Sequence, residues 1–154
     1  MPDWFTHTLI GWNTGKISKI DIGLIVIGTL IPDLVKINIV FALFRIDHHY
    51  FFEPIHTPIG AILIGGIISL FFRDYKKTFF ALAIGIFTHF IFDFILVHVA
   101  GGVKILFPLS WKEWQIYLIR SDDYFMTIIA IISAIIIFLL YYNFNKSKSN
   151  QKDV

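Results

Sequence analysis

Residues 79–100 of this chain read FFALAIGIFTHFIFDFILVHVA, an apolar run that contains His89, Asp93 and His98. The run has the length and hydrophobicity of a helix that crosses a bilayer. Ionisable side chains at membrane depth are costly, face the protein interior and mark functional sites by default. The stretch therefore predicts a membrane helix with a polar site on one face.

The composition of the whole chain also indicates a membrane protein. Its 154 residues are 56% hydrophobic and 16% charged, with a mean hydropathy of +0.73. Soluble domains are about 45–50% apolar and about 25% charged. The many aromatic and branched aliphatic residues exclude disorder for most of the chain. The sequence has no sustained heptad repeat, which excludes a coiled coil. We therefore expect an integral protein of the cell membrane that contacts membrane lipids.

Four apolar runs predict the architecture. We expect an all-α integral membrane bundle of about four membrane-embedded helices, drawn from residues 22–44, 58–72, 79–100 and 124–142. An N-terminal interfacial helix is expected over Trp4–Trp12, ended by Asn13-Thr14-Gly15. Residues 1–142 would form a single domain, followed by a polar C-terminal tail over residues 143–154.

Basic residues are concentrated in the N-terminal segment, in the turn over residues 73–78 and in the tail. The positive-inside rule then predicts a multi-pass protein with both termini in the cytoplasm. Residues 103–123 contain Trp111 and Trp114 and are typical of an interfacial aromatic belt. The net charge is only +2 and the other basic residues are scattered, so no nucleic-acid partner is expected.

The first apolar run is interrupted in its middle by Pro32, Asp33 and Lys36. Residues 22–44 would be about 34 Å long as a helix, which is enough to span. A proline inside a helix removes one hydrogen bond and clashes with the preceding turn. We therefore expect either a broken transmembrane helix or a re-entrant pair, with freed carbonyls and the Asp33 carboxylate in one polar pocket. A structural ion pair between Asp33 and Lys36 is the alternative reading.

His89 and Asp93 are four residues apart, so a helix presents both on one face. Such a pair can share one cation, or it can form a plain buried hydrogen bond. His98 is nine residues from His89 and points away, so it can join the same site only if the helix ends before Gly101, and we leave it out of the ligand set. His7 and His56 lie near the ends of other segments, and His7 alone would be an ordinary interfacial histidine. Cysteine is absent, so a metal site must use His, Asp, Glu and backbone groups.

The order of these residues resembles the YdjM-like family of membrane-bound metal-dependent hydrolases. The resemblance covers roughly residues 3–114 and rests on five short motifs in order: Asp3-Trp-Phe-Thr-His7, Pro32-Asp33, His56-Thr57, Thr88-His89-Phe-Ile-Phe-Asp93, and the segment from Gly102 to Phe107-Pro108. The chain departs from the family where many members have a His-Arg pair, since it has Phe51-Phe52 there.

That family in turn is similar to the zinc-dependent phospholipase C superfamily, all-helical enzymes that cleave phosphoesters with clustered metals. The resemblance implies a ligand set of His7, Asp33, His56, His89 and Asp93 for one or two divalent ions, with zinc the expected metal. It implies hydrolysis of a phosphoester by a metal-activated water, with Asp33 or Asp93 taking the proton of the water. The tryptophans near the membrane surface favour a lipid-like substrate.

Two other functions use the same residues. A cation or proton transporter would string ionisable groups along the depth of the membrane. A scaffold protein would bind a metal for stability alone, in a site with no open coordination position. The positions of His7 and His56 separate hydrolysis from transport, because hydrolysis requires both to converge on Asp33 and Asp93.

Overall fold

The computed structural model describes residues 4–37, 52–97, 102–120 and 124–150. The helices are α1 (Trp4–Ser18), α2 (Ile22–Leu30), α3 (Pro58–Ser69), α4 (Tyr75–Ile95) and α5 (Phe125–Asn150), with 3₁₀ helices at Pro32–Ile37 and Glu53–His56. Two strands of two residues each, β1 (Leu96–Val97) and β2 (Ile119–Arg120), pair in parallel. Apart from this pair the regular structure is helical, and the all-α prediction is confirmed.

Two helices, rather than four, are long and apolar enough to cross a membrane within the described ranges. These are Tyr75–Ile95 and Phe125–Phe144. Helices α2 and α3 have 9 and 12 residues, which at 1.5 Å per residue gives about 14 and 18 Å. Both are shorter than a hydrocarbon core of about 30 Å. Of the expected bundle of about four membrane-embedded helices, the described residues thus contain two candidate spans, with shorter helices packed beside them.

Helices α1 and α5 run parallel and are joined by polar contacts at matching heights. Thr6 and Thr127 share a hydroxyl hydrogen bond of 2.8 Å, and Asn13 Nδ2 donates to Ser133 Oγ at 2.8 Å. Farther along, Lys16 Nζ lies 4.5 Å from the centre of the Tyr141 ring. The start of α1 and the end of α5 are thus at opposite ends of the pair, which does not support our expectation that both termini share the cytoplasmic side.

The prediction that Asn13-Thr14-Gly15 ends the first helix is wrong, since α1 continues to Ser18. Thr14 Oγ1 donates to the carbonyl of Ile10 within the helix, and Asn13 uses its side chain against α5. Gly15 allows close approach of α2, because a Cβ there would lie 2.9 Å from Ile22. These residues serve helix packing rather than termination.

The proline in the first apolar run does break the helix. Helix α2 begins at an Asp21 cap whose side chain accepts from the Leu24 N–H, and it ends at Leu30. The 3₁₀ helix then starts at Pro32. Residues 38–44, the rest of the predicted run, lie outside the described residues.

Helix α4 forms the centre of the fold and crosses α2 where Gly28 meets Gly85. A Cβ at Gly85 would overlap the backbone carbonyl of Ile25, so the two backbones touch. Around this crossing lies the apolar core of Ile31, Ala61, Leu82, Ile86, Phe90 and Val103. The position of the functional side chains on α4 therefore depends on this crossing.

Helix α4 ends at Ile95, before the end of the apolar run over residues 79–100, and the chain there pairs with the segment before α5. The N–H groups of Ile116 and Leu118 donate to the carbonyls of Phe94 and Ile95. Residues 102–118 fold back on themselves through Val103 and Trp114. His98 lies outside the described residues.

The amphipathic stretch with Trp111 and Trp114 is therefore an irregular segment at the end of α4. Trp111 and Trp114 are both exposed there. At the C-terminal end, helix α5 continues to Asn150. The first part of the predicted polar tail is thus helical.

We expect Gly85→Ala to lower the stability of the protein by about 1–3 kcal/mol, because the added methyl group forces the α2 and α4 backbones apart. Gly66→Ala is the matched control on α3, since a Cβ there meets only Phe79 at 3.8 Å. Thermal unfolding in detergent measures the difference. A Gly85→Ala protein as stable as the Gly66→Ala protein would contradict the close crossing.

Candidate functional site

Helix α4 places His89 and Asp93 on one buried face. Both side chains have no exposed surface, and His89 Nε2 lies 3.1 Å from Asp93 Oδ2. This is the contact that the four-residue spacing predicted.

The orientation of His89 is set from the other side of its ring. His89 Nδ1 lies 2.7 Å from the backbone carbonyl of Thr29, at the end of α2 just before Pro32. A carbonyl can only accept, so Nδ1 donates to Thr29 and Nε2 is the ring nitrogen that faces Asp93. The expectation that carbonyls near the proline break face the polar pocket is confirmed at Thr29.

His56 reaches the same carboxylate from the second 3₁₀ helix. Its Nε2 lies 3.0 Å from Asp93 Oδ2 and 3.3 Å from His89 Nε2. The next residue, Thr57, caps α3: its hydroxyl accepts from the Gly60 N–H and donates to the Pro54 carbonyl. That cap fixes the backbone beside His56, whose side chain remains 15% exposed.

His7 enters from α1 and is fully buried, so the alternative reading as an interfacial histidine is wrong. Its ring stacks on His89 with centroids 4.0 Å apart, and its Nε2 lies 3.5 Å from Asp93 Oδ1. Within the described ranges neither ring nitrogen of His7 has a hydrogen-bond partner. The hydrogen bond between Thr6 and Thr127 holds this turn of α1 in place.

Asp33 lies in the first 3₁₀ helix and is almost completely buried. Its Oδ2 accepts from Lys36 Nζ at 2.7 Å, which is the ion pair weighed above. Its Oδ1 is buried and has no hydrogen-bond partner among the residues that the structure describes. Asp33 is therefore satisfied on one side and open to a further ligand on the other.

All five predicted ligand residues lie together, and they form two groups that share His89. One group is His7, Asp33 and His89, and the other is His56, His89 and Asp93; within each group the ligand atoms lie within 4.8 Å of one another. We call these five side chains the His/Asp cluster. They come from four separate segments of the chain.

The second group has the dimensions of a metal site. Its two imidazole nitrogens and one carboxylate oxygen are 3.0, 3.1 and 3.3 Å apart. Zinc ligands at about 2.0–2.1 Å in a tetrahedral site are about 3.3–3.4 Å from one another. Nitrogen and carboxylate donors also suit a borderline cation. The donor set, the spacing and the bare atoms of His7 and Asp33 therefore fit a divalent ion.

Apolar residues adjoin the cluster on one side. The Phe90 ring packs edge-on against His56 and His89, with centroids 5.7 and 5.4 Å away. Phe90 also lines an apolar cavity of about 320 Å³ between α3, α4 and the segment after α4, together with Pro58, Ile62, Ile86, Phe87, Ile91, Phe94, Val103 and Ile105. The Phe90 ring thus separates the cluster from this apolar cavity.

Charged residues lie on the other approach to His56. Lys104 is ion-paired with Glu53, and its Nζ lies 3.7 Å from Glu113. The same Nζ lies 5.1 Å from the centre of the Trp111 ring. The sequence did not predict the pair of Lys104 and Glu53 or the roles of Thr29 and Phe90, because only their positions in space connect them to the cluster. The one available signal was that Thr29 lies close to Pro32 in the sequence.

The fold and the cluster together define a helical membrane protein with a buried His/Asp centre at one end of its helices. Residues 3–151 match the family described as YdjM inner membrane protein, and the chain belongs to that family. No curated protein and no solved structure matches the chain. The similarity to phospholipase C therefore stays a prediction.

We expect Lys36→Met to lower the stability of the metal-free protein by up to about 3–5 kcal/mol, because it leaves the buried Asp33 carboxylate without its counter-charge. The double variant Asp33→Asn/Lys36→Met should recover most of the loss. Thermal unfolding in detergent measures both. Lys77→Met, at an exposed position in the first turn of α4, is the control and should change stability by less than about 0.5 kcal/mol. Equal stability of Lys36→Met and Lys77→Met would contradict the role of this pair.

Proposed function

We propose that the His/Asp cluster binds one or two divalent metal ions, with zinc favoured by its ligands, and that the protein is a membrane-bound hydrolase of phosphoesters. The convergence of five ligand-type side chains from four segments on one buried point carries this proposal. Burying an ionisable side chain in a membrane protein costs free energy, so five such side chains at one point indicate a shared functional site.

The His/Asp cluster would hold a divalent ion, and the chemistry supplied there would be a bound water with its pKa lowered toward about 7 and positive charge beside phosphoryl oxygens. The residues of the chain supply the rest. Asp33 has one oxygen on Lys36 and a second, Oδ1, that has no hydrogen-bond partner among the described residues. We infer that this oxygen takes the proton of the attacking water, with the positive charge of Lys36 beside it. Asp93, which contacts the imidazoles of His7, His56 and His89, acts as a metal ligand in this proposal.

The geometry favours hydrolysis over transport. A transport path needs ionisable groups spaced through the membrane, yet His7 and His56 both converge on Asp93. In the described part of α4, no Asp, Glu, Lys, Arg or His lies between Lys77 and His89. In the described part of α5, none lies within residues 125–144. The partial exposure of His56 favours an accessible catalytic site over a closed scaffold site.

The apolar cavity favours a lipid-like phosphoester. It begins at the Phe90 ring, which touches both His56 and His89, and it runs along α4, a candidate membrane span. An acyl chain is the natural occupant of an apolar groove in a bilayer. A phosphoester attached to that chain would lie at the His/Asp cluster.

We expect the detergent-purified protein to bind one or two equivalents of zinc per chain, measured by elemental analysis. The double variant His89→Ala/Asp93→Ala should lose that metal, because it removes His89, which both groups share, and Asp93, the carboxylate of the second group. Added zinc should also raise the thermal stability of the wild type, by about 2.7 kcal/mol at a hundredfold excess over Kd. Thr88→Ala is the control, because the Thr88 hydroxyl bonds within its own helix.

A wild-type protein that stays free of metal after reconstitution would overturn the metal site. Loss of metal in Thr88→Ala, to the same extent as in the double variant, would show that the binding depends on the fold of α4 rather than on these ligands.

We expect the zinc-loaded protein to release phosphate from short-chain phosphatidate, or the headgroup from a short-chain phospholipid, in mixed micelles. Asp33→Asn should lower kcat by about 10²–10⁴-fold, because the proton acceptor is lost. The ion held by His56, His89 and Asp93 should remain bound in that variant. If the metal-loaded wild type cleaves neither lipid, the proposed hydrolysis is wrong. If Asp33→Asn leaves kcat unchanged, the proposed role of Asp33 is wrong.

A further inference from the structure

The helices give the described bundle two distinct ends. Helices α1 and α3 begin beside His7 and His56, and α5 begins beside α1 at Thr127, whereas α2 and α4 finish near Thr29 and Asp93. We call this the site end. The other end holds the turn between α1 and α2, the turn between α3 and α4, and the close of α5, where Lys16 meets Tyr141.

Positive charge is concentrated at the end opposite the cluster. Among the described residues, that end holds seven basic residues: Lys16, Lys19, Arg73, Lys76, Lys77, Lys146 and Lys148. The site end of the same ranges holds four: Lys36, Lys104, Lys112 and Arg120. Two of these four are ion-paired, Lys36 with Asp33 and Lys104 with Glu53.

Membrane proteins retain their Lys- and Arg-rich short loops in the cytoplasm, and this bias sets their orientation. The turns at the basic end are short and close to the ends of α4 and α5, where the rule applies. The basic end therefore faces the cytoplasm, and the site end faces away from it. Asp93 is two residues from the end of α4, about 3 Å along the helix axis, so the cluster lies close to that far surface.

We propose that the His/Asp cluster opens on the non-cytoplasmic side of the membrane and acts on phosphoester headgroups of lipids in that leaflet. The leaflet assignment does not depend on the proposed hydrolysis, whereas the choice of substrate rests on it. Cytoplasmic soluble phosphoesters are excluded as substrates by this arrangement.

The chain contains no cysteine, so one introduced cysteine is its only thiol. Leu109→Cys marks the site end at a residue that is 93% exposed. Asp74→Cys is the matched probe on the exposed turn between α3 and α4. Each single variant is treated with a membrane-impermeant maleimide, first in intact cells or spheroplasts and then after permeabilisation.

We expect Leu109→Cys to be labelled in intact cells and Asp74→Cys only after permeabilisation. The reverse pattern, or labelling of both in intact cells, would overturn the orientation. If a thiol is not labelled even after permeabilisation, a second exposed position at the same end replaces it. Leu106→Cys then replaces Leu109→Cys, and Phe71→Cys replaces Asp74→Cys. Labelling needs neither metal nor activity, so a failure of the proposed hydrolysis leaves this result intact.

Discussion

The buried carboxylate of Asp93 is the constraint on which the rest of the structure depends. It has no exposed surface and lies near the end of a helix of membrane length. A charge removed from water needs partners, and in hydrocarbon these must come from the protein. Imidazole nitrogens of His7, His56 and His89 lie 3.0–3.5 Å from its oxygens. The contacts around one side chain thus bring α1, the second 3₁₀ helix and α4 together at a single point.

A second line of dependence runs through the backbone. The Thr29 carbonyl orients His89, and Thr29 is available there because α2 stops at Leu30, ahead of Pro32. The carbonyl comes within reach because α2 and α4 cross in direct contact at Gly85. A proline and a glycine, neither of which carries chemistry, therefore determine which nitrogen of His89 faces the cluster.

Local patterns were predictable from the sequence, and contacts between distant segments were not. Helix periodicity placed His89 beside Asp93, and the rule for prolines located the break at Pro32. The resemblance to a family supplied His7 and His56, and membership in that family is confirmed. Metal binding and hydrolysis remain predictions, since geometry alone does not establish either.

The failures have physical causes. Apolar runs do not reveal that a helix is too short to span, as α3 is. The role of Asn13 was missed because its partner, Ser133, is 120 residues away and nothing local distinguishes a packing residue from a helix stop. The fold of residues 102–118 depends in the same way on the backbone of α4.

The parallel contact between α1 and α5 has a consequence for the order of biosynthesis. His7 leaves the ribosome well before α5, the helix that secures its turn through Thr127, has been made. Until α5 enters the bilayer, α1 lacks the polar partners that α5 provides, and among the described elements it packs mainly against α2 and α4. The centre is therefore completed only when the insertion machinery releases α5. A nascent chain truncated before Thr127 would have all five ligands without the support that fixes the first of them.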